Sequence, residues 1–188
     1  MAKIIIIGAG AMGAAFSVPC IENKNEVTLI GTHLENDLIE KIKSNNNIHP
    51  ALNTKLPNEL RIEKIEELDS ILKEKTDIIV AGVSSLGIDW FVEKISKDYK
   101  KNLPIVLLTK GLAIDENELI TLSDKIKKLL KEKGHTAINI SAIKGPCLAA
   151  GLANKMRTGT VIANPDIKET ELLKKIITTD YYSTEISD

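Results

Sequence analysis

The stretch Lys3-Ile4-Ile5-Ile6-Ile7-Gly8-Ala9-Gly10-Ala11-Met12-Gly13 decides the fold. Four isoleucines in a row read as a strand covered on both faces. They lead straight into three glycines at G-x-G-x-x-G spacing and then into a helical run. Gly8 permits a tight turn, Gly10 lets the backbone approach a pyrophosphate, and Gly13 lets helix pack closely on strand. The free amides at that helix start then face phosphates. The glycine spacing alone is a weak signal, and a purely structural turn is its plain alternative. The strand before it, the helix after it and a second strand at Val27–Ile30 make it a candidate dinucleotide loop.

The rest of the chain repeats the same rhythm. Further strands are predicted at Asp77–Ala81, Pro104–Thr109, Ala137–Ser141 and Thr160–Ala163, all short and apolar. Lysine- and glutamate-rich helical patterns lie between them, at 11–22, 34–45, 67–74, 86–98, 116–132, 147–156 and 168–178. The implied fold is α/β: a Rossmann-like, doubly wound, mostly parallel sheet with helices on both faces. Residues 46–62 carry polar residues and two prolines and read as an excursion ending in a short strand. The tail TTDYYSTEISD reads as an edge strand.

With 25 Lys and Arg against 26 Asp and Glu, interleaved along the helices, no contiguous basic surface points to nucleic acid. No run of 18 apolar residues suggests membrane insertion. The apolar start of the chain is broken by Gly8, Gly10 and Gly13, which suit a turn better than an export signal. Cys20 and Cys147 have no metal or disulfide spacing, and His33, His49 and His135 are scattered. No metal is expected, free thiols or one bridge both stay open, and a reduced cytoplasmic protein is the plainer expectation.

In this fold an acid at the end of the second strand, roughly twenty residues past the glycines, grips the adenosine ribose of NAD. Here Ile30-Gly31-Thr32-His33 stands there, with no acid before Glu35. Thr32 and His33 could donate to a 2′-phosphate, although no arginine clamps it. The expectation tilts to NADPH, with NAD open and an exposed, idle His33 as the plain alternative.

Two further loops open on the carboxyl edge of the sheet. Thr109-Lys110-Gly111 places a cation where ligands bind in such sheets, able to attract a phosphate or carboxylate. Lys144-Gly145-Pro146-Cys147 gives a glycine-proline corner before a helix start, where Cys147 and the following amides could face an anion.

These segments together resemble the bacterial-type NAD(P)-dependent glycerol-3-phosphate dehydrogenases. The resemblance rests on IIIIGAGAMGAA at 4–15, HPALNTKLPNELRI at 49–62, DIIVAGVSS at 77–85, VLLTKGL at 106–112 and KGPCLAAGLANKMRTGTVIA at 144–163. It covers the whole chain as an amino-terminal cofactor domain. The resemblance implies cofactor contacts at Ala11, Met12, Thr32, Lys110 and Ala149, and substrate contacts at Lys110, Gly145 and Cys147. It also implies hydride transfer between dihydroxyacetone phosphate and sn-glycerol 3-phosphate, usually for phospholipid synthesis. The general base of that family is a lysine in a helical carboxyl-terminal domain that these 188 residues do not include. No catalytic residue is therefore expected within the chain. Departures from the family are Cys147 for a serine or threonine, Lys144 for a small residue, Leu148 for a common phenylalanine, and Ala81-Gly82-Val83-Ser84 for AVPS. They leave room for another phosphorylated or carboxylated substrate. A ketopantoate reductase or a non-catalytic nucleotide-binding module stays open as an alternative, as does a homodimer of the full-length form.

Overall fold

Alternate isoleucines of β1 (Lys3–Ile7) face opposite sides of a sheet, and each side has its own apolar core. Ile4 and Ile6 join one cluster, with Phe16, Leu29 and Val80; Ile5 and Ile7 join the other, with Phe91, Ile105 and Ile126. Ile6 and Ile7 are fully buried, and each such side chain contributes about 1.5–3 kcal/mol relative to exposure. The computed structural model describes residues 1–100 and 102–188.

The chain continues through α1 (Ala11–Glu22), β2 (Glu26–Ile30) and α2 (Asn36–Ser44). A small antiparallel pair, β3 (Ile48–His49) and β4 (Thr54–Lys55), precedes the short β5 (Arg61–Glu63). Next come α3 (Leu68–Lys73), β6 (Ile78–Ala81), α4 (Ile88–Ser96) and β7 (Ile105–Leu107). A hairpin of β8 (Leu112–Asp115) and β9 (Glu118–Thr121) leads into α5 (Leu122–Glu132). The last elements are β10 (Ile140–Lys144), α6 (Ala149–Ala153), β11 (Thr158–Ala163), α7 (Ile167–Ile177) and β12 (Tyr182–Ser187).

Eight strands form one sheet in the order β12-β11-β10-β7-β6-β1-β2-β5. Every pairing is parallel except β10 with β11. The order reverses around β1, and a crevice at the carboxyl ends of such strands is where ligands bind in this architecture. The helix α1 is buried from Gly13 to Cys20 because it lies between the sheet and α6 and α7. Its carboxyl end is clasped by the far end of the chain: the Asn23 amide donates to the Ile176 and Thr178 carbonyls at 3.0 and 2.8 Å.

The expected doubly wound sheet is present, and the tail is its edge strand. Two local expectations are corrected. The helix predicted at 116–132 begins only at Leu122, because Glu116 and Asn117 both adopt positive φ (45° and 70°) and turn the chain back as a hairpin. Thr121 then caps α5, its hydroxyl accepting from the Asp124 amide at 3.1 Å. The strand predicted at Ala137–Ser141 lies three residues further on, so Lys144 ends a strand instead of opening a loop.

Candidate functional site

The glycine loop is built by close approach of backbones. Gly8 has φ of +110°, and a Cβ there would stand 2.6 Å from the Gly82 carbonyl group. A Cβ on Gly13 would meet the Gly8 carbonyl oxygen at 2.0 Å. Gly82, just after β6, is less tightly constrained, with the Gly8 oxygen 3.0 Å from its Cβ position. That explains glycine at 82 in Ala81-Gly82-Val83-Ser84: a side chain there would push into the loop. Gly10 alone is open, with only a Glu35 carboxylate oxygen at 3.6 Å. It lines the neighbouring cavity.

The Ala9 peptide is held from both sides. Its N–H donates to Glu35 Oε2 at 3.0 Å, and its carbonyl oxygen lies 2.9 Å from His49 Nε2. Helix α1 then opens at Ala11 with Gly10 at its cap and no side-chain cap bond. Ala11 and Met12 sit in this first turn, whose amides are free for an anion. Beside the loop lies a cavity of about 570 Å³, lined by Gly10, Thr32, His33, Glu35, Ser84 and Trp90 among others. Leu34 and Leu86, 82% and 92% exposed, flank its mouth. A dinucleotide fits this set: an open glycine, a helix start and an apolar-rimmed cavity of ligand size.

The expected strand-end environment needs correction on one point. An acid does stand beside the glycine loop: Glu35 folds back, and its Oε2 accepts from the amides of Ala9 and Thr32, at 3.0 and 2.8 Å. His33 lies against Trp90, ring centroids 5.1 Å apart, at the cavity wall.

The other two loops are strapped together. Lys110 Nζ donates to the Gly145 carbonyl at 2.7 Å, while Lys144 Nζ donates to the Thr109 carbonyl. Each lysine thus holds the carbonyl next to the other, across parallel neighbours β7 and β10. Burial, with the Lys110 charge adding to it, lowers the Lys144 pKa. Lys110, Gly145 and Cys147 share a niche of about 10 Å³ with Met12, Thr160 and Tyr182, room for about one water. Cys147 is buried at 5% exposure, and that burial pushes its thiol pKa up. Cys20 is also unpaired and buried. Ala149 starts the five-residue α6 and packs against the first cluster.

The structure therefore gathers Gly8, Gly10, Ala11, Met12, Gly13, Thr32, His33, Lys110, Gly145 and Cys147 along the carboxyl edge, Met12 linking the glycine loop to the lysine niche. Sequence reasoning sets Glu35 aside, names Gly82 only as a departure from the family, and gives no part to His49 or Trp90. The His49-Pro50 pair was visible, but nothing local says that an imidazole so far along reaches Ala9. No cluster of three or more potential metal ligands exists among the described residues, and no helix there is long and apolar enough to cross a membrane.

A family model described as NAD-dependent glycerol-3-phosphate dehydrogenase N-terminus matches residues 3–170. The chain belongs to the NAD-dependent glycerol-3-phosphate dehydrogenase family. Its match is to the amino-terminal part of that family. Among curated relatives, the NADP(+)-dependent glycerol-3-phosphate dehydrogenase of Archaeoglobus fulgidus is 33% identical over 184 residues, covering 98% of this chain and 53% of the relative. The glycerol-3-phosphate dehydrogenase [NAD(P)+] of Mesoplasma florum is 31% identical over 182 residues, covering 96% and 52%. The chain thus spans about half the length of the curated relatives it matches. The Coxiella burnetii glycerol-3-phosphate dehydrogenase structure superposes with a TM-score of 0.80 at 18% identity, over 100% of this chain and 54% of that one. The Plasmodium falciparum glycerol-3-phosphate dehydrogenase gives 0.83 at 19%, over 99% and 52%. Both likenesses concern the fold.

Proposed function

We propose that the chain supplies the nicotinamide nucleotide site and part of the substrate site of an enzyme interconverting dihydroxyacetone phosphate and sn-glycerol 3-phosphate. The observation that carries this reading is the strap between Lys110 and Gly145, set beside the glycine loop on one sheet edge. It puts a cation next to where the reactive end of a dinucleotide would emerge. A bound dinucleotide supplies the hydride. Gly8, Gly10, Ala11, Met12 and Gly13 hold its pyrophosphate, Thr32 and His33 border its adenosine, and Ala149 abuts it from α6. Lys110 attracts and orients the phosphate-bearing substrate by charge; Gly145 and Cys147 shape the adjoining wall, with the thiol a weaker donor than a hydroxyl.

No residue here is assigned as general base. That role falls to a lysine of a helical carboxyl-terminal domain, which also excludes water in the full-length enzyme. A homodimer of that form and a cytoplasmic setting complete the proposal, the buried unpaired thiols suiting a reducing compartment. The printed names of the relatives in Archaeoglobus and Mesoplasma support use of NADP or of either nucleotide. Glu35, whose carboxylate accepts from the Ala9 and Thr32 amides, weighs against the expected tilt to NADPH.

The test is calorimetric titration with NADH and NADPH, with and without dihydroxyacetone phosphate. Saturable binding that the phosphate strengthens is expected, with Lys110→Ala abolishing the strengthening and sparing most of the nucleotide affinity. A folded chain that ignores both nucleotides would sink the reading.

A further inference from the structure

We propose that Glu35 reads the adenosine ribose, gripping its paired hydroxyls with one carboxylate oxygen and turning away a 2′-phosphate, so that the chain favours NAD(H) over NADP(H). This rests on the dinucleotide reading above.

The residue directly after β2, where this fold usually carries its ribose acid, is Gly31. It has no room for a side chain, since a Cβ would meet Ile39 Cγ1 at 2.7 Å. The chain instead turns once, the Glu35 amide donating to the Thr32 carbonyl at 2.9 Å. That turn returns the longer glutamate side chain to the strand end. Its Oε2 is anchored by two backbone amides, those of Ala9 and Thr32. Oε1 takes no donor among the described residues and lies 3.6 Å from the Cβ position of Gly10, the one open glycine of the loop.

Oε2 is thus fixed, while Oε1 stands beside Gly10, and both residues line the 570 Å³ cavity. A ribose diol offers two O–H donors, which match an acceptor-only carboxylate. A 2′-phosphate offers only acceptors and nearly two negative charges. No lysine or arginine lines the cavity to offset them; its one imidazole, His33, packs against Trp90. Juxtaposed like charges discriminate against the wrong ligand more strongly than they weaken the right one.

The experiment titrates the chain and its Glu35→Gln and Glu35→Ala variants with NADH, NADPH, ADP-ribose and 2′-phospho-ADP-ribose, folding being checked by circular dichroism. The wild type should bind each unphosphorylated ligand at least about tenfold more tightly than its 2′-phosphate, the size of one charge-assisted hydrogen bond. Glu35→Gln should lose roughly that factor for NADH while gaining for NADPH, collapsing the ratio. A loop-supporting role alone would weaken both ligands together and keep the ratio, and that result overturns the assignment. So does a wild type that prefers NADPH, whether or not the variants fold. If neither nucleotide binds to the folded wild type, the dinucleotide reading itself fails, an outcome distinct from binding with an unmoved ratio.

Discussion

His49 holds the glycine loop through Ala9, its Nε2 standing 2.9 Å from the Ala9 carbonyl oxygen. A carbonyl can only accept, so Nε2 carries the proton and donates. The ring is 1% exposed and comes from β3, forty residues down the chain. Replacing it by alanine leaves the Ala9 oxygen buried without a donor, a cost of about 1–3 kcal/mol. His49→Ala should therefore lower the denaturation midpoint and weaken both nucleotides by a similar factor. His49→Gln, which restores an N–H donor, should recover part of each. Equal melting curves for His49→Ala and wild type would show that the contact does not support the loop.

The glycines of the loop should separate under substitution. Gly13→Ala puts a methyl 2.0 Å from the Gly8 oxygen, and the resulting shift should cost about 1–3 kcal/mol, as overpacking does. Gly10→Ala meets only a carboxylate oxygen at 3.6 Å. It should fold with a melting temperature within about 4 °C of wild type, yet lose nucleotide binding because the methyl fills the approach to the pyrophosphate. Thermal melts paired with calorimetry read both variants. Retained binding in Gly10→Ala would move the pyrophosphate elsewhere.

Stability should fall in alkali. Burial raises the pKa of the Cys20 thiol and of the Tyr181 and Tyr182 hydroxyls. The unfolded chain therefore loses these protons first, so their stabilisation is complete below the ordinary values and is lost as pH climbs. The decline should begin near the ordinary thiol value of about 8.5 and steepen past the phenol value of about 10. Lys144, whose pKa is lowered, works the other way but is a single group. Urea midpoints from neutral pH to pH ~10.5 measure the slope, and Tyr182→Phe should flatten it.

Both thiols should resist modification in the native state. Cys20 is fully buried and Cys147 nearly so, each with a raised pKa, which leaves little thiolate and little access. A thiol reagent should label Cys147 slowly, Cys20 more slowly, and both at once in denaturant. Fast native labelling of Cys147 would mean that its niche opens.

What the sequence made legible follows the range of the interactions. Strand, glycines and helix at 3–22 are contiguous, so the loop could be read directly. Lys110 and Gly145 were placed on one edge because each follows a strand of the same sheet. Glu35 was discounted by its position in the chain, since the lack of room at Gly31 depends on Ile39 of α2. His49 was hidden for a similar reason: its partner lies in another element. The helix expected from residue 116 overruns the β8–β9 hairpin because its polar turn residues, Glu116 and Asn117, also suit a helix start, whereas their left-handed conformation follows from the pairing of β8 and β9.

The strand order has a consequence for how the chain comes together. From β1 outward, β2 and β5 extend one side, while β6, β7, β10, β11 and β12 extend the other in the order in which they are synthesised. Each new strand joins an edge already present, and none must be inserted between two earlier ones. Vectorial assembly on the ribosome is thus compatible with the topology. The Asn23 amide, made early, meets the Ile176 and Thr178 carbonyls only near the end. It works as a clasp that closes last.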